Sequence, residues 1–201
     1  RGKRAVIVEA GPYGTTCARV GCMPSKLLIA AADAAHAGSR YPEFGLRLEG
    51  RIRVDGSAVM RRVKHERDRF VGFVLQGVES IDEHHRIRGH ARFVSDTTLQ
   101  VDAHTRIEFG QAVIATGSSP IVRSLLRELG DRVVVNDDVF GWDDLPRSVA
   151  VFGPGVIGLE LGQALHRLGV EVTMFGLSGS LGPLSDPALR GYAANSFGAE
   201  F

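Results

Sequence analysis

From Ser148 to Phe175 the chain reads as strand, glycine turn, helix and strand, an order that constrains the fold more than any other feature. Val149-Ala150-Val151-Phe152 is a continuous apolar run of the kind buried in parallel sheets. It enters Gly153-Pro154-Gly155-Val156-Ile157-Gly158, a G-x-G-x-x-G turn, and then a helical pattern from Leu159 to Leu168. Glu171-Val172-Thr173-Met174-Phe175 returns as a second strand and completes one βαβ unit. Glycines between a buried strand and a helix let a pyrophosphate approach the helix N-terminus. Gly153, Gly155, Val156, Ile157 and Gly158 are therefore candidate cofactor-binding residues. Alone the motif is weak; its place in a βαβ unit gives it meaning.

The rest of the chain fits the same class. Arg4-Ala5-Val6-Ile7-Val8-Glu9 reads as a buried parallel strand ending in an acid, followed by the turn Gly11-Pro12-Tyr13-Gly14. Ser25 to about Ala37 is rich in helix formers, with Pro24 at an early position that tolerates a missing donor. Between Gly56 and Ser80, Val59, Val63, Phe70, Phe73 and Val74 recur at helical spacing among charged residues, predicting a long amphipathic helix. From Ile87 to Ala115 the pattern changes to a β-meander, Arg92-Phe93-Val94 and Thr98-Leu99-Gln100-Val101, feeding a buried strand, Ala112-Val113-Ile114-Ala115. The tail has helical character around Pro187 to Asn195. The expected fold is α/β, with two Rossmann-like domains at 1–146 and 147–201, both incomplete in this chain.

Composition excludes several classes. At 44% hydrophobic and 23% charged, the chain is an ordinary globular sequence. Its 24 basic and 23 acidic residues nearly cancel, so nucleic acid is not an implied partner. No apolar stretch reaches the roughly 20 residues of a membrane span, and a soluble protein is expected. Arg1-Gly2-Lys3-Arg4 leads straight into an apolar run, without initiator methionine or signal core, as an interior start would. Two cysteines in one short segment cannot frame a disulfide-rich secreted domain, which favours the cytoplasm.

Those cysteines, Cys17 and Cys22, form C-x4-C. In a regular helix residues five apart have Cα atoms about 8.7 Å apart, beyond disulfide reach, so a bridge needs a distorted turn that Gly21 and Pro24 could supply. Arg19 and the adjacent helix N-terminus both favour thiolate. Spacing alone is also compatible with two free buried thiols, a static bridge or half of a metal site. Metal is the weakest of these, because zinc takes four ligands and no other cysteine exists.

Gly14-Thr15-Thr16-Cys17-Ala18-Arg19-Val20-Gly21-Cys22-Met23-Pro24-Ser25-Lys26 resembles GGTCLNxGCxPSK, the active-site signature of class I pyridine nucleotide-disulfide oxidoreductases, most closely the dihydrolipoamide dehydrogenase branch. Thr15 replaces the second glycine and Ala18-Arg19 replace Leu-Asn. The resemblance implies that Cys17 attacks the substrate disulfide, that Cys22 faces the flavin, and that Lys26 lies near the flavin ring, paired with Glu160. It further implies an FAD site including Glu9, for the adenosine ribose, Gly14, Thr16 and the Ala115-Thr116-Gly117 motif, with the glycine loop at Gly153 for NAD or NADP. Without the resemblance, Lys26 reads as a solvated helix lysine, Glu160 as a helix-start acid, and Ala115-Thr116-Gly117 as an ordinary strand-end turn.

The second strand of the βαβ unit ends at Gly176, where an NAD-preferring site usually shows an acid and an NADP site an arginine. The family's first glycine loop is expected before Glu9, and its later flavin motif, dimerisation domain and catalytic His-Glu pair beyond Phe201. His84, His85 and His166 read as surface residues. The implied activity moves electrons between NAD(P)(H), FAD, a Cys17–Cys22 disulfide and a small dithiol or disulfide such as dihydrolipoamide, in a homodimer. The alternatives are another family member, such as a mercuric-reductase-like flavoprotein, and a non-catalytic nucleotide-binding redox module.

Overall fold

The computed structural model describes residues 4–176, 179 and 181–201, so Arg1, Gly2 and Lys3 lie outside the described residues. Strand β1 (Ile7–Glu9) leads through a glycine-bearing loop into α1 (Thr16–Val20), α2 (Cys22–Arg40) and α3 (Gly56–Glu79). Then come β2 (Arg86–Arg88), β3 (Ala91–Ser95), β4 (Thr98–Val101) and β5 (Thr105–Glu108). A single turn, α4 (Ser124–Arg127), precedes β6 (Ser148–Phe152), α5 (Val156–Arg167), β7 (Glu171–Phe175) and α6 (Pro187–Glu200). β1 and β2 pair in parallel, β3-β4-β5 form an antiparallel meander, and β6 and β7 pair in parallel. Both parallel pairs are joined through helices, as parallel strands require.

The helices start where side chains satisfy their free N–H groups. Thr15 caps α1 by accepting from the Ala18 N–H at 3.0 Å, and Asp55 caps α3 by accepting from Ala58 at 2.9 Å. Asp186 caps α6 through the N–H groups of Ala188 and Leu189, with Pro187 at the first helical position.

One core joins α2, α3 and α5. Leu28 and Ala32 of α2, Met60 and Val63 of α3, and Leu161, Ala164 and Leu165 of α5 are buried together with Leu168 and Val170. Leu161, Ala164, Leu165 and Leu168 follow helical spacing, which turns one stripe of α5 inward. Burying each leucine contributes about 1.5–3 kcal/mol. Arg167 ties the assembly at its edge, donating to Glu200 of α6 at 2.5 Å and to Asp33 of α2 at 2.8 Å. Burial pushes the Glu200 carboxyl up, but hydrogen bonds from Arg167 and Gln163 outweigh it and hold the carboxyl below its ordinary value.

The structure departs from the sequence reading in four places. Residues 4–6 are not part of β1, and Val6 and Ile7 are 41% and 40% exposed, because β2 is the only strand beside them among the described residues. Ala112-Val113-Ile114-Ala115 is not a strand; no described strand pairs with it, and Val113 and Ile114 are 91% and 72% exposed. Phe73 is exposed because the contacts of α3 with the core run through Met60 and Val63, nearer its start. His166 is half-buried against the Phe201 ring rather than a simple surface residue. No helix among the described residues is long and apolar enough to cross a membrane.

Candidate active site

Gly21 shapes the cysteine segment. It ends α1 and precedes α2, and a Cβ there would stand 3.0 Å from the Thr16 carbonyl oxygen and 3.2 Å from Cys17 Cα. The chain can fold back this tightly only without a side chain. The break removes the helical spacing that would hold the thiols apart, and Cys22 becomes the first residue of α2. Pro24 and Ser25 anchor the turn from beneath: both are buried, and the Ser25 hydroxyl donates to the Cys22 carbonyl at 3.1 Å.

Both cysteines are exposed free thiols. A hydrogen bond with Cys17, and then the Cys17 charge, push the Cys22 thiol above its ordinary pKa, opposed by the Cys22 backbone N–H and by Lys26. The Arg19 guanidinium donates to the Pro12 carbonyl at 3.2 Å, and Lys26 is the cation that opposes the rise at Cys22.

Lys26 lies one turn after Cys22 and forms an ion pair with Glu160 of α5. Their side chains are 64% and 25% exposed, and a pair so open to water contributes at most about 1 kcal/mol. Its consequence is positional, because it links the helix that opens on Cys22 to the helix that opens on the glycine turn.

At the end of β1 the Glu9 carboxylate accepts the Gly11 N–H at 2.8 Å. Gly14 has φ +108°, a conformation that favours glycine, and the Arg19 side chain lies across it. Two contacts that the sequence reading did not anticipate hold this loop: Arg88 donates to the Gly11 carbonyl and stands 4.7 Å from the centroid of the Tyr13 ring. Their only sequence signal is the parallel register that sets Arg88 opposite Glu9, which no local motif reveals. Thr16 is exposed at the start of α1. Ala115, Thr116 and Gly117 are exposed in an irregular segment, Gly117 at φ +71°, and no hydrogen bond among the described residues joins them to Glu9 or the cysteines.

In the glycine turn each glycine has a separate reason. Gly153 takes φ +113°, and its N–H donates to the Phe175 carbonyl at 2.8 Å. Gly155 caps α5 and faces open space, so no side chain obstructs the approach to the helix N-terminus. A Cβ on Gly158 would collide with the Gly153 carbonyl oxygen and reach within 3.3 Å of Val151. Val156 and Ile157 are 60% and 54% exposed in the first turn of α5. An open cradle before bare N–H groups fits the pyrophosphate of a dinucleotide.

Residues 1–200 match the pyridine nucleotide-disulphide oxidoreductase family. Dihydrolipoyl dehydrogenase 2 of Haloarcula marismortui is 32% identical over 183 residues, covering 86% of this chain and 37% of that protein. Mercuric reductase of Staphylococcus aureus is 31% identical over 192 residues, covering 94% of this chain and 34% of that protein. LpdA from Mycobacterium tuberculosis shares the fold, with a TM-score of 0.79 at 22% identity over 98% of this chain and 44% of that one. The chain therefore spans little more than a third of the length of these curated relatives. Its signature turn, its βαβ unit and these similarities together establish that the chain belongs to the flavin-dependent pyridine nucleotide-disulphide oxidoreductase family.

Proposed function

We propose that the intact protein moves electrons between a nicotinamide nucleotide, FAD, the Cys17–Cys22 pair and a small dithiol or disulfide, with dihydrolipoamide as the first candidate substrate. The observation that carries this reading is the turn at Gly21, which breaks the helix between two exposed free thiols and folds the chain closely against Cys17. When bound, FAD and the nicotinamide nucleotide supply or remove the electron pair.

The steps on this chain are thiol-disulfide exchange. The Cys17 thiolate attacks one sulfur of a substrate disulfide; its S–S bond breaks, and the electron pair leaves on the second sulfur, which takes up a proton. Cys22 Sγ then loses its proton and attacks Cys17 Sγ, expelling the first substrate sulfur as a thiol and closing the Cys17–Cys22 disulfide. The substrate has gained two electrons that the cysteines have lost. With a dithiol substrate the same steps run in reverse. The Lys26–Glu160 pair positions a cation one turn from Cys22, where it favours the thiolate. Glu9, Gly14, Thr16, Ala115, Thr116 and Gly117 are assigned to FAD, and Gly153, Gly155, Val156, Ile157 and Gly158 to the nucleotide. A homodimer in the cytoplasm belongs to the same reading and is supported by the family resemblance.

A mercuric-reductase-like activity is the second reading, favoured by the similarity to the Staphylococcus aureus enzyme over 94% of the chain. Absorption spectra of the reduced intact protein test the main reading. A long-wavelength thiolate-flavin band that disappears in Cys22→Ser is expected; its absence from the unaltered protein contradicts the assignment. Turnover of Hg(II) but not of lipoamide selects the second reading.

A further inference from the structure

We propose that Pro154 and Gly176 together determine nucleotide selectivity in this chain, and that they leave its dinucleotide site open to NADP as well as NAD. The proposal rests on the assignment of the glycine turn to the nicotinamide nucleotide. In a βαβ dinucleotide site, discrimination resides at the end of the second strand: a carboxylate there binds both ribose hydroxyls and repels a 2′-phosphate, whereas an arginine attracts it.

Here that position is Gly176, directly after β7, and it is closed to either side chain. A Cβ at Gly176 would lie 2.7 Å from Pro154 Cγ and 3.0 Å from Cδ. One hydrogen bond holds the Pro154 backbone, and two contacts fix the strand ends on either side of it. The Gly182 N–H donates to the Pro154 carbonyl at 2.6 Å, and the Gly153 N–H donates to Phe175 at 2.8 Å. Phe152 and Phe175, the residues immediately before Gly153 and Gly176, are register partners whose rings stack with centroids 5.0 Å apart. The strand ends, and with them Pro154 and Gly176, are therefore fixed side by side.

Nothing later in the connection restores a charge. From Gly176 to Ser185 the sequence has no ionisable side chain. The first acid, Asp186, is engaged as the cap of α6, accepting from Ala188 and Leu189 at 2.8 and 3.0 Å. The strand end thus supplies neither the repulsion that rejects a 2′-phosphate nor the cation that demands one.

The test is equilibrium binding of NAD⁺ and NADP⁺ to the intact holoprotein by calorimetry, on the unaltered protein and on Pro154→Gly, Gly176→Glu and the double variant. Unaltered protein and Pro154→Gly are expected to bind both nucleotides within about tenfold of each other. Gly176→Glu alone is expected to weaken both together, whereas Pro154→Gly/Gly176→Glu shifts the ratio toward NAD⁺ by about tenfold or more. Discrimination beyond about tenfold in the unaltered protein overturns the proposal, and that arm requires no variant to fold. So does a Gly176→Glu protein as selective as the double variant, because the proline would then not be an obstacle. Binding of neither nucleotide overturns the underlying assignment of the glycine turn as well, and so separates the two failures.

Discussion

The β6-α5-β7 unit and the β1-β2 pair are both parallel two-stranded sheets, yet the first packs against the hydrophobic core and the second contributes no described residue to it. β6 and β7 are joined by α5 alone, whose inward stripe packs with Leu28, Met60 and Val63 while Val149 and Val172 lie against the same core. β1 and β2 are separated by three helices, and Val6 and Ile7 remain substantially exposed. Segment 112–115, apolar enough for a strand, has no partner strand among the described residues. A βαβ unit carries its own ladder and its own cover in contiguous sequence, whereas a strand whose partners lie elsewhere has neither.

The largest expected effect breaks this comparison directly. Leu165→Ala removes a side chain that is 3% exposed and should destabilise the fold by about 2–5 kcal/mol. Ile114→Ala, at a site 72% exposed, should change stability by less than about 0.5 kcal/mol. Urea unfolding of both variants measures the contrast. Within the glycine turn, Gly158→Val forces side-chain atoms onto the Gly153 carbonyl and should cost about 1–3 kcal/mol. Gly155→Ala enters open space and loses only the preference of the cap position for glycine, so it should cost less, about 0.5 kcal/mol in the same assay.

A smaller effect concerns the edge of the covered region. Arg167→Met leaves Glu200 without its main partner and should cost about 1–2 kcal/mol near neutral pH. The Glu200 carboxyl is held below its ordinary value in the fold, so its contribution is present above the unfolded pKa and lost as pH falls through the folded one. Thermal unfolding of the unaltered protein should therefore weaken below about pH 4.3, and this component of the slope should be reduced in Arg167→Met. The smallest effect is at the cysteines. Cys17→Ala removes the first cause that raises the Cys22 thiol, so Cys22 should be alkylated at lower pH, as a pH series with iodoacetamide would show.

The same contrast explains what the sequence disclosed. The βαβ unit was legible because strand, turn and helix are consecutive, and α3 was legible because a helical apolar pattern among charged residues marks it. The cysteine turn was legible as a motif, and Gly21 as its break, because both lie within six residues. The contact between Arg88 and Tyr13 was not, since it depends on the long-range pairing of β1 with β2. The contact of Arg19 with the Pro12 carbonyl was not legible for a related reason, since it depends on how the loop between them folds. Ile114 misled because β-branched sequence shows strand propensity but not the existence of a partner.

The central claim is that Cys17 and Cys22 exchange electrons with a nicotinamide nucleotide. Differential alkylation followed by peptide mass spectrometry on the air-oxidised intact protein, before and after anaerobic NADH or NADPH, tests it most directly. The account predicts that both cysteines are protected before the nucleotide is added and labelled afterwards, with about one nucleotide oxidised per pair. Oxidation of the nucleotide without new labelling at Cys17 and Cys22 would contradict it.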